Sequence, residues 1–183
     1  MHIVLKNNFR PPYPENLKQI HFGMGCFWGA ERLFWEKKGV WSTAVGYSGG
    51  HSENPNYEKI CTGKTGHAEI VKVIFDPLEI TLPQLATLFW TSHDPTQGMR
   101  QGNDIGSQYR SIVLANDTKE IELLNKLKTK IQLELEKIKM GNITTSVEIL
   151  EKFYFAEEYH QQYLAKNPSG YCNLKKINID SLC

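Results

Sequence analysis

The sequence predicts a mixed α/β (α+β) domain. Three observations lead to this fold class: short β-prone runs are interspersed with helical patterns, the helices number three or more, and no regular strand–helix–strand repeat recurs along the chain. With 183 residues, of which 40% are hydrophobic, the chain can bury the core of one domain. We therefore expect a single domain over residues 1–183, with an extended N-terminal arm at 1–19 and a mobile tail at 169–183.

The first part of the chain predicts a strand, a helix and a second strand. Three prolines between residues 11 and 14 favour an extended arm. Residues 20–24 form a short apolar run typical of a strand, and residues 26–38 place apolar side chains at helical spacing before a glycine. Residues 40–47 are β-prone and lead into a long, turn-rich loop at 47–66. A loop of that length in a compact domain is usually functional.

The middle of the chain alternates again between strand and helix. Residues 67–75 alternate side chains as a strand does. A threonine followed two residues later by proline predicts a helix that starts at Thr81 and ends before Asp94. A second loop, at 97–106, is dense in glycine and polar residues and leads into a predicted strand at 107–115.

The last part predicts a long amphipathic helix, a strand and a further helix. Asp117 and Glu120 form a capping box for a helix that ends at Met140 and has one apolar stripe. Its lysines are interspersed with glutamates, which is typical of a solvated scaffold helix rather than a basic binding patch. Residues 144–150 predict a strand, and residues 153–166 predict a helix that carries an aromatic cluster.

Composition argues against several classes of function. The net charge of +1, without a block of like charge, argues against a nucleic-acid partner or a membrane surface bound through bulk charge. No apolar run approaches the ~20 residues of a membrane span, and we find no signal-peptide core, so we expect a cytoplasmic protein. The four cysteines are too few for a disulfide scaffold, and their spacing contains no zinc-like cluster.

Cys26 is the most suggestive residue, because it lies where an apolar run changes to a helical pattern. A thiol in the first turn of a helix experiences unpaired backbone N–H groups and the positive end of the helix dipole, which lower its pKa. Cys26 is therefore a candidate nucleophile, with Phe27 and Trp28 as an apolar wall beside its sulfur. The alternative is an ordinary buried cysteine, since free cysteine is among the most buried residue types.

Glu69 is a candidate acid within the predicted strand at 67–75. It alternates in phase with Val71, Val73 and Phe75, so its side chain should point to the same side as three apolar residues. Burial there would raise the pKa of the carboxyl group and keep it protonated near neutral pH, ready to donate a proton. The alternative is a glutamate at the edge of the sheet whose charge reaches water.

The tail favours a redox cycle at Cys26. A sulfenic acid on a nucleophilic cysteine is commonly resolved by a second cysteine, which condenses with it to a disulfide, and the tail at 169–183 holds two further thiols. Two alternatives stay open at this point. One is a cysteine peptidase or acyltransferase with a triad of Cys26, His160 and Asp104, and the other is a thiol redox sensor without enzymatic activity.

Six segments resemble the peptide methionine sulfoxide reductases of type A. They occur in the family's order and span almost the whole chain apart from the arm and the extreme C-terminus. The segments are GCFWGAE (25–31), GYSGG (46–50), TGHAE (65–69), RQGNDIGSQYRS (100–111), AEEYHQQYLAKNP (156–168) and GYC (170–172). The resemblance implies a two-layer α/β sandwich with a mixed, mainly antiparallel sheet, related to the ferredoxin-like arrangement. It also implies reduction of the S epimer of methionine sulfoxide, free or in proteins, to methionine.

The resemblance implies a role for each matching position. Cys26 attacks the sulfoxide sulfur as a thiolate and is left as a sulfenic acid, while Glu69 protonates the sulfoxide oxygen. The positions implied to hold the substrate are Phe27 and Trp28 at its methyl group, Tyr57 and Tyr109 at its oxygen, and Asp104, His160 and Tyr163 around the site. A structural hydrogen bond is the alternative role for His160.

The resemblance also implies how Cys26 is regenerated. Cys172 follows the AKNPSGY segment as the family's first resolving cysteine does, which implies a Cys26–Cys172 disulfide. Residues 173–176 then depart from the family, because many relatives have a glycine-rich tail there. Cys183 is either a second recycling cysteine or a terminal thiol without a role, and Cys61 is expected to be unreactive.

The expected reductant is a thiol partner. The resemblance implies thioredoxin, with dithiothreitol in its place in vitro. The sequence contains no nucleotide-binding loop and no metal-ligand spacing, so we expect no bound cofactor and no metal. We expect the protein to be a monomer.

Overall fold

The computed structural model describes residues 1–179. In this part of the chain the strands are β1 (Lys18–Gly23), β2 (Val40–Ser48), β3 (Ala68–Phe75), β4 (Arg100–Gln101), β5 (Asp104–Ile105), β6 (Ile112–Ala115), β7 (Ser146–Ile149) and β8 (Tyr154–Phe155). The helices are α1 (Phe27–Trp35), α2 (Tyr57–Cys61), α3 (Leu82–Thr91), α4 (Thr118–Lys137) and α5 (Tyr163–Lys166), with a 3-10 turn at Ser107–Tyr109.

One mixed sheet forms the centre of the molecule, with the strand order β7-β6-β1-β3-β2-β8. The neighbouring strands are antiparallel except for β6 and β7, which run parallel. Strands β4 and β5 form a separate hairpin, here called the β4–β5 hairpin. The expected mixed, mainly antiparallel sheet is therefore confirmed.

Strand β3 lies inside the sheet and is buried on both faces. Val71, Val73 and Phe75 belong to the larger core, whereas Ile70 belongs to a smaller cluster on the opposite face, as an alternation of period two requires. Helices α1, α3 and α4 cover the larger core. Their buried side chains there include Phe27, Ala30, Phe34, Leu85, Phe89, Trp90, Leu124, Ile131 and Leu135. The sheet and this helical layer are the two layers of the expected sandwich.

The chain turns sharply between β1 and α1. Gly25 has a φ of +96°, in the left-handed region, and a Cβ at this position would lie 2.7 Å from the side chain of Gln101. Glycine therefore meets both the backbone requirement and the steric one. The turn places Cys26 at the N-cap of α1, which confirms the predicted corner between a strand and a helix.

The loop predicted at 47–66 and the strand predicted at 107–115 are only partly correct. The loop contains α2, because the side chain of Asn56 accepts a hydrogen bond from the backbone N–H of Lys59 at 3.0 Å and caps the helix. The strand β6 begins only at Ile112, since the three residues before Arg110 form a 3-10 turn.

The single helix predicted at 153–166 is wrong. Its first residues form β8, which pairs with β2 through Gly46 and Tyr47, and only its last four residues form α5. Gln162 interrupts the helix with a φ of 48°. The side-chain amide of Gln161 accepts a hydrogen bond from the backbone N–H of Val45 at 2.9 Å and donates one to its carbonyl at 2.8 Å. These contacts with a distant strand replace the local helical hydrogen bonds.

Both ends of the described chain lie against the domain. His2 is buried, and its Nε2 lies 2.8 Å from Oγ1 of Thr43. In the tail, the backbone N–H of Ile177 donates to the carbonyl of Thr91 at 2.7 Å, and Ile179 is buried. The tail expected to be mobile therefore makes specific contacts as far as its described part extends. Among the helices within residues 1–179, none is both long and apolar enough to cross a membrane.

Candidate active site

A cavity of about 220 Å³ opens at the corner between β1 and α1. Its lining combines a thiol, carboxyl groups, phenols and two further aromatic side chains. The lining residues are Cys26, Phe27, Trp28, Tyr57, Glu69, Asp104, Tyr109 and Tyr171. The sequence predicts each of these except Tyr171. Within residues 1–179 no group of three or more His, Cys, Asp or Glu side chains is arranged to hold a metal ion.

Cys26 is partly buried at the N-cap of α1. Burial raises the pKa of its thiol well above the ordinary value, and the neighbouring carboxyl group of Glu69 raises it further. The backbone N–H of Trp28 lowers this pKa, as expected at a helix start, but its effect is smaller. The predicted lowering of the Cys26 pKa is therefore wrong for the protein without substrate, because desolvation outweighs the helix start.

Glu69 is only 3% exposed, which rules out the alternative of an edge glutamate that reaches water. It lies on β3 in phase with Val71, and its Oε2 accepts a hydrogen bond from the backbone N–H of Phe27 at 3.0 Å. Burial raises the pKa of Glu69 to about 8; the Phe27 hydrogen bond lowers it, and the charge of Asp104 adds to the rise. The carboxyl group is therefore mostly protonated near neutral pH and can act as a proton donor.

Two phenols reach the cavity from separate parts of the chain. Tyr57 is the first residue of α2, and Tyr109 is the last residue of the 3-10 turn. Burial raises the pKa of both phenols, so both retain their protons and remain hydrogen-bond donors. The backbone of Tyr57 is fixed by its N–H, which donates to Oε1 of Glu157 at 2.8 Å.

The indole of Trp28 is fixed by contacts with His160 and Tyr163. Its indole Nε1 donates to Nδ1 of His160 at 3.0 Å. The ring of Tyr163 stacks on the indole with centroids 3.9 Å apart and an interplanar angle of 15°. His160 and Tyr163 are not among the residues that line the cavity, so they support its aromatic wall from outside.

Comparison with known proteins agrees with this geometry. The family model described as "Peptide methionine sulfoxide reductase" matches residues 18–181. The chain belongs to this family.

Individual relatives match over nearly the full length. Peptide methionine sulfoxide reductase MsrA of Brucella anthropi is 54% identical over 178 residues, which cover 97% of this chain and 82% of the relative. The structure of methionine sulfoxide reductase A of Corynebacterium diphtheriae is 42% identical with a TM-score of 0.88 and covers 93% of this chain and 83% of that one. The structure of Mxr1 of Saccharomyces cerevisiae in reduced form is 35% identical with a TM-score of 0.84 and covers 91% of this chain and 95% of that one.

The yeast relative has also been solved with a partner. The structure of Mxr1 in complex with Trx2 aligns at 23% identity with a TM-score of 0.63, over 95% of this chain and 99% of that one. At that identity the alignment by itself supports the fold only.

The alternative triad of an acyl-transfer enzyme is not formed in this member of the peptide methionine sulfoxide reductase family. Such a triad would require His160 to hydrogen-bond Cys26. The Nδ1 of His160 instead accepts the indole proton of Trp28, and its buried Nε2 has no hydrogen-bond partner within the described chain. That nitrogen lies 4.0 Å from a carboxylate oxygen of Glu157. The structural hydrogen bond that was the alternative role for His160 is therefore present.

Cys172 lies against helix α1. A Cβ on Gly29 would lie 2.7 Å from the Sγ of Cys172, so the sulfur rests on the helix within one turn of Cys26. Its proximity also contributes to the raised pKa of Cys26. Cys26, Cys61 and Cys172 are all free thiols. Cys183 lies outside the described residues.

Tyr171 is a site residue that the sequence reasoning missed. Its phenol lines the cavity, and its Oη donates to Oδ1 of Asp104 at 3.2 Å. The available signal was its position directly before Cys172 in a segment that matches the family. The structure adds a neighbour of the expected resolving cysteine to the wall of the cavity.

Glu31 is a second residue that was missed, and it connects two elements of the site. Its carboxylate oxygens accept hydrogen bonds from Oγ1 of Thr43 at 3.0 Å and from the N–H and Nε2 of Gln162 at 2.7 and 3.0 Å. Burial raises its pKa to about 7. Glu31 thereby ties α1 to the segment that carries His160 and Tyr163. The signal in the sequence was a charged residue on the apolar side of a predicted helix.

Proposed function

We propose that this chain reduces the S epimer of methionine sulfoxide, free or in proteins, to methionine. The observation that carries the proposal is Glu69, a carboxyl group with a pKa of about 8 that shares an aromatic cavity with the thiol of Cys26. A sulfoxide oxygen leaves more readily once it is protonated, so a nucleophile beside a protonated acid fits this reaction. Membership of the peptide methionine sulfoxide reductase family supports the same chemistry.

In the proposed first step, the thiolate of Cys26 attacks the sulfoxide sulfur while Glu69 protonates the oxygen. The phenols of Tyr57 and Tyr109 donate hydrogen bonds to this oxygen and stabilise the charge that develops on it. The protonated oxygen then transfers from the substrate sulfur to the Sγ of Cys26, so the S–O bond of the substrate and the transient S–S bond both break. Methionine leaves, and Cys26 is left as a sulfenic acid. The sulfoxide is thereby reduced by two electrons and the thiol is oxidised by two.

The substrate is held by the aromatic wall in this proposal. Phe27 and Trp28 receive the methyl group, because both line the cavity beside Cys26. Asp104 positions the substrate from the β4–β5 hairpin. His160 and Tyr163 act as positioning residues, since their contacts fix the orientation of the Trp28 indole.

The proposed cycle ends with a Cys26–Cys172 disulfide that thioredoxin reduces. The resting place of Cys172 beside α1 supports this pairing, because only a short displacement separates its sulfur from the start of the helix. The solved complex of the yeast relative Mxr1 with Trx2 supports a protein thiol as the reductant. A second recycling role for Cys183 stays a prediction.

The experiment that tests the function is incubation with both epimers of methionine sulfoxide and dithiothreitol, followed by chromatographic separation of the epimers. We expect loss of the S epimer alone. The variant Cys26→Ser should form no methionine. The control Cys61→Ser replaces an exposed thiol beside Tyr57 with a hydroxyl that can keep the hydrogen bond to this phenol, so it should retain the activity. If the wild-type protein consumes neither epimer in the presence of reductant, the proposed function is wrong.

A further inference from the structure

The tail on both sides of Cys172 is bonded to the β4–β5 hairpin. The side-chain Nδ2 of Asn173 donates to the backbone carbonyl of Gln101 at 2.7 Å and to Oδ2 of Asp104 at 3.2 Å. On the other side, the phenol of Tyr171 donates to the same carboxylate at 3.2 Å. Cys172 is therefore flanked by two residues that are fixed to one carboxylate.

Two glycines make room for this part of the tail. Gly102, with a φ of +58°, lies so close to Asn173 that a Cβ there would be 2.6 Å from its Nδ2. Gly29 lies equally close to Cys172, and a Cβ there would be 3.4 Å from Cγ of Leu174. Residues 172–174 therefore pack closely against both the β4–β5 hairpin and helix α1.

We propose that Asn173 is a positioning residue for the resolving step, because its amide holds the thiol of Cys172 beside α1. This inference rests on the proposed function and deepens it. Residues 173–176 read Asn-Leu-Lys-Lys and contain no glycine. An ordered hydrogen-bonding residue at this point reduces the conformational entropy that is lost when the tail approaches Cys26, whereas glycine increases it.

The step that Asn173 assists is the condensation of a thiol with a sulfenic acid. The thiolate of Cys172 attacks the Sγ of the Cys26 sulfenic acid, the S–S bond forms and the S–O bond breaks. The oxygen leaves as hydroxide and takes up the proton lost by Cys172, so water is the other product. The oxidant is the sulfoxide already consumed in the first step.

The test separates this step from the first one in a single turnover without reductant. Methionine formation reports the first step, and loss of sulfenic acid that a dimedone probe can trap reports the second. For Asn173→Ala we expect methionine formation at the wild-type rate and disulfide formation slowed about five- to tenfold, as the loss of one or two hydrogen bonds predicts. The matched control is Asn178→Ala, which changes an exposed asparagine of the same tail and should leave both steps unchanged.

The variant Asn173→Leu distinguishes hydrogen bonding from packing. It has nearly the same size but no N–H to donate, and it brings no charge towards Asp104. A donor role therefore predicts that Leu is as slow as Ala in the second step, while a packing role predicts a rate near that of the wild type.

Three outcomes overturn the proposal: disulfide formation at the wild-type rate in Asn173→Ala, wild-type behaviour of Asn173→Leu, or an equal slowing of both steps. Absence of methionine from the wild-type reaction is a separate result, because it overturns the proposed function itself.

Discussion

Cys26 and Glu69 face one cavity, and burial raises the pKa of both groups. The proposed reaction needs the thiol deprotonated and the carboxyl group protonated, although the thiol is the weaker acid of the two. Only a minor fraction of molecules holds this arrangement at a given pH. Protonation of Glu69 removes the negative charge that raises the pKa of Cys26, so each requirement makes the other easier to meet.

This pairing predicts the pH dependence of the first step. As pH rises, the thiolate of Cys26 increases, while protonated Glu69 decreases above a pH of about 8. The rate of methionine formation in a single turnover should therefore rise up to about pH 8 and then level off, because the two changes offset each other. Rapid quenching between about pH 6 and pH 10 measures this profile.

Glu69→Gln should remove the bend from that profile, since the amide cannot ionise. We expect its rate near neutral pH to fall by about 100-fold, which is at the lower end of general acid contributions. The control Glu79→Gln changes an exposed glutamate outside the cavity and should keep the bend. An unchanged rate and bend in Glu69→Gln would show that Glu69 is not the acid.

At the scale of elements, helix α1 links the parts of the site. Its first N–H binds Glu69, Gly29 receives Cys172, and Glu31 bonds the segment that supports Trp28. All of these contacts lie within the first two turns, next to Cys26 at the N-cap. The proposed nucleophile, acid and resolving thiol are thus all in contact with one short helix.

The resolving assignment predicts a specific defect for Cys172→Ser. This variant should form about one methionine per protein molecule with thioredoxin as donor and then stop, because no disulfide is available for thioredoxin to reduce. Counting methionine produced per molecule with and without thioredoxin measures this limit. Dithiothreitol, which reduces a sulfenic acid directly, serves as the control and should restore turnover. Full thioredoxin-driven cycling in the variant would contradict the assignment.

At the scale of the whole molecule, buried titratable groups oppose one another in their effect on stability. Burial lowers the pKa of His2, His21 and His93 from 6.5 to about 4, 3 and 4. The stability that depends on keeping these histidines neutral is lost as pH falls below 6.5. Burial raises the pKa of Glu31 and Glu69 from 4.5 to about 7 and 8. The stability that depends on protonating them is full below 4.5 and lost as pH rises through 7 and 8.

These opposing effects predict a maximum in the free energy of unfolding near pH 6, measured by urea denaturation across about pH 4 to 9. The variant Glu31→Gln cannot ionise at this position, so its stability should fall less steeply between about pH 6 and pH 8. Glu36→Gln, which changes an exposed glutamate at the end of α1, is the matched control and should follow the wild type. Stability that increases steadily from pH 6 to pH 8 would contradict the prediction.

Local sequence patterns identified much of the scaffold and of the cavity. The alternation over 67–75 placed Glu69 on the core side of β3, and the change of pattern at Cys26 located the corner before α1. The helical signals at Thr81 and Asp117 were also correct, because both side chains cap their helices. Periodicity and capping depend on residues a few positions apart, so the sequence displays them directly.

The sequence by itself determined which groups are present and, through the family resemblance, which reaction they serve. Only the tertiary structure decided the pKa values of these groups and their positions relative to one another. The raised pKa of Cys26, the support of Trp28 by His160 and the bonds from Asn173 to the β4–β5 hairpin all join segments far apart in the chain. Desolvation and hydrogen bonding depend on which atoms surround a group, and distant segments supply those atoms here.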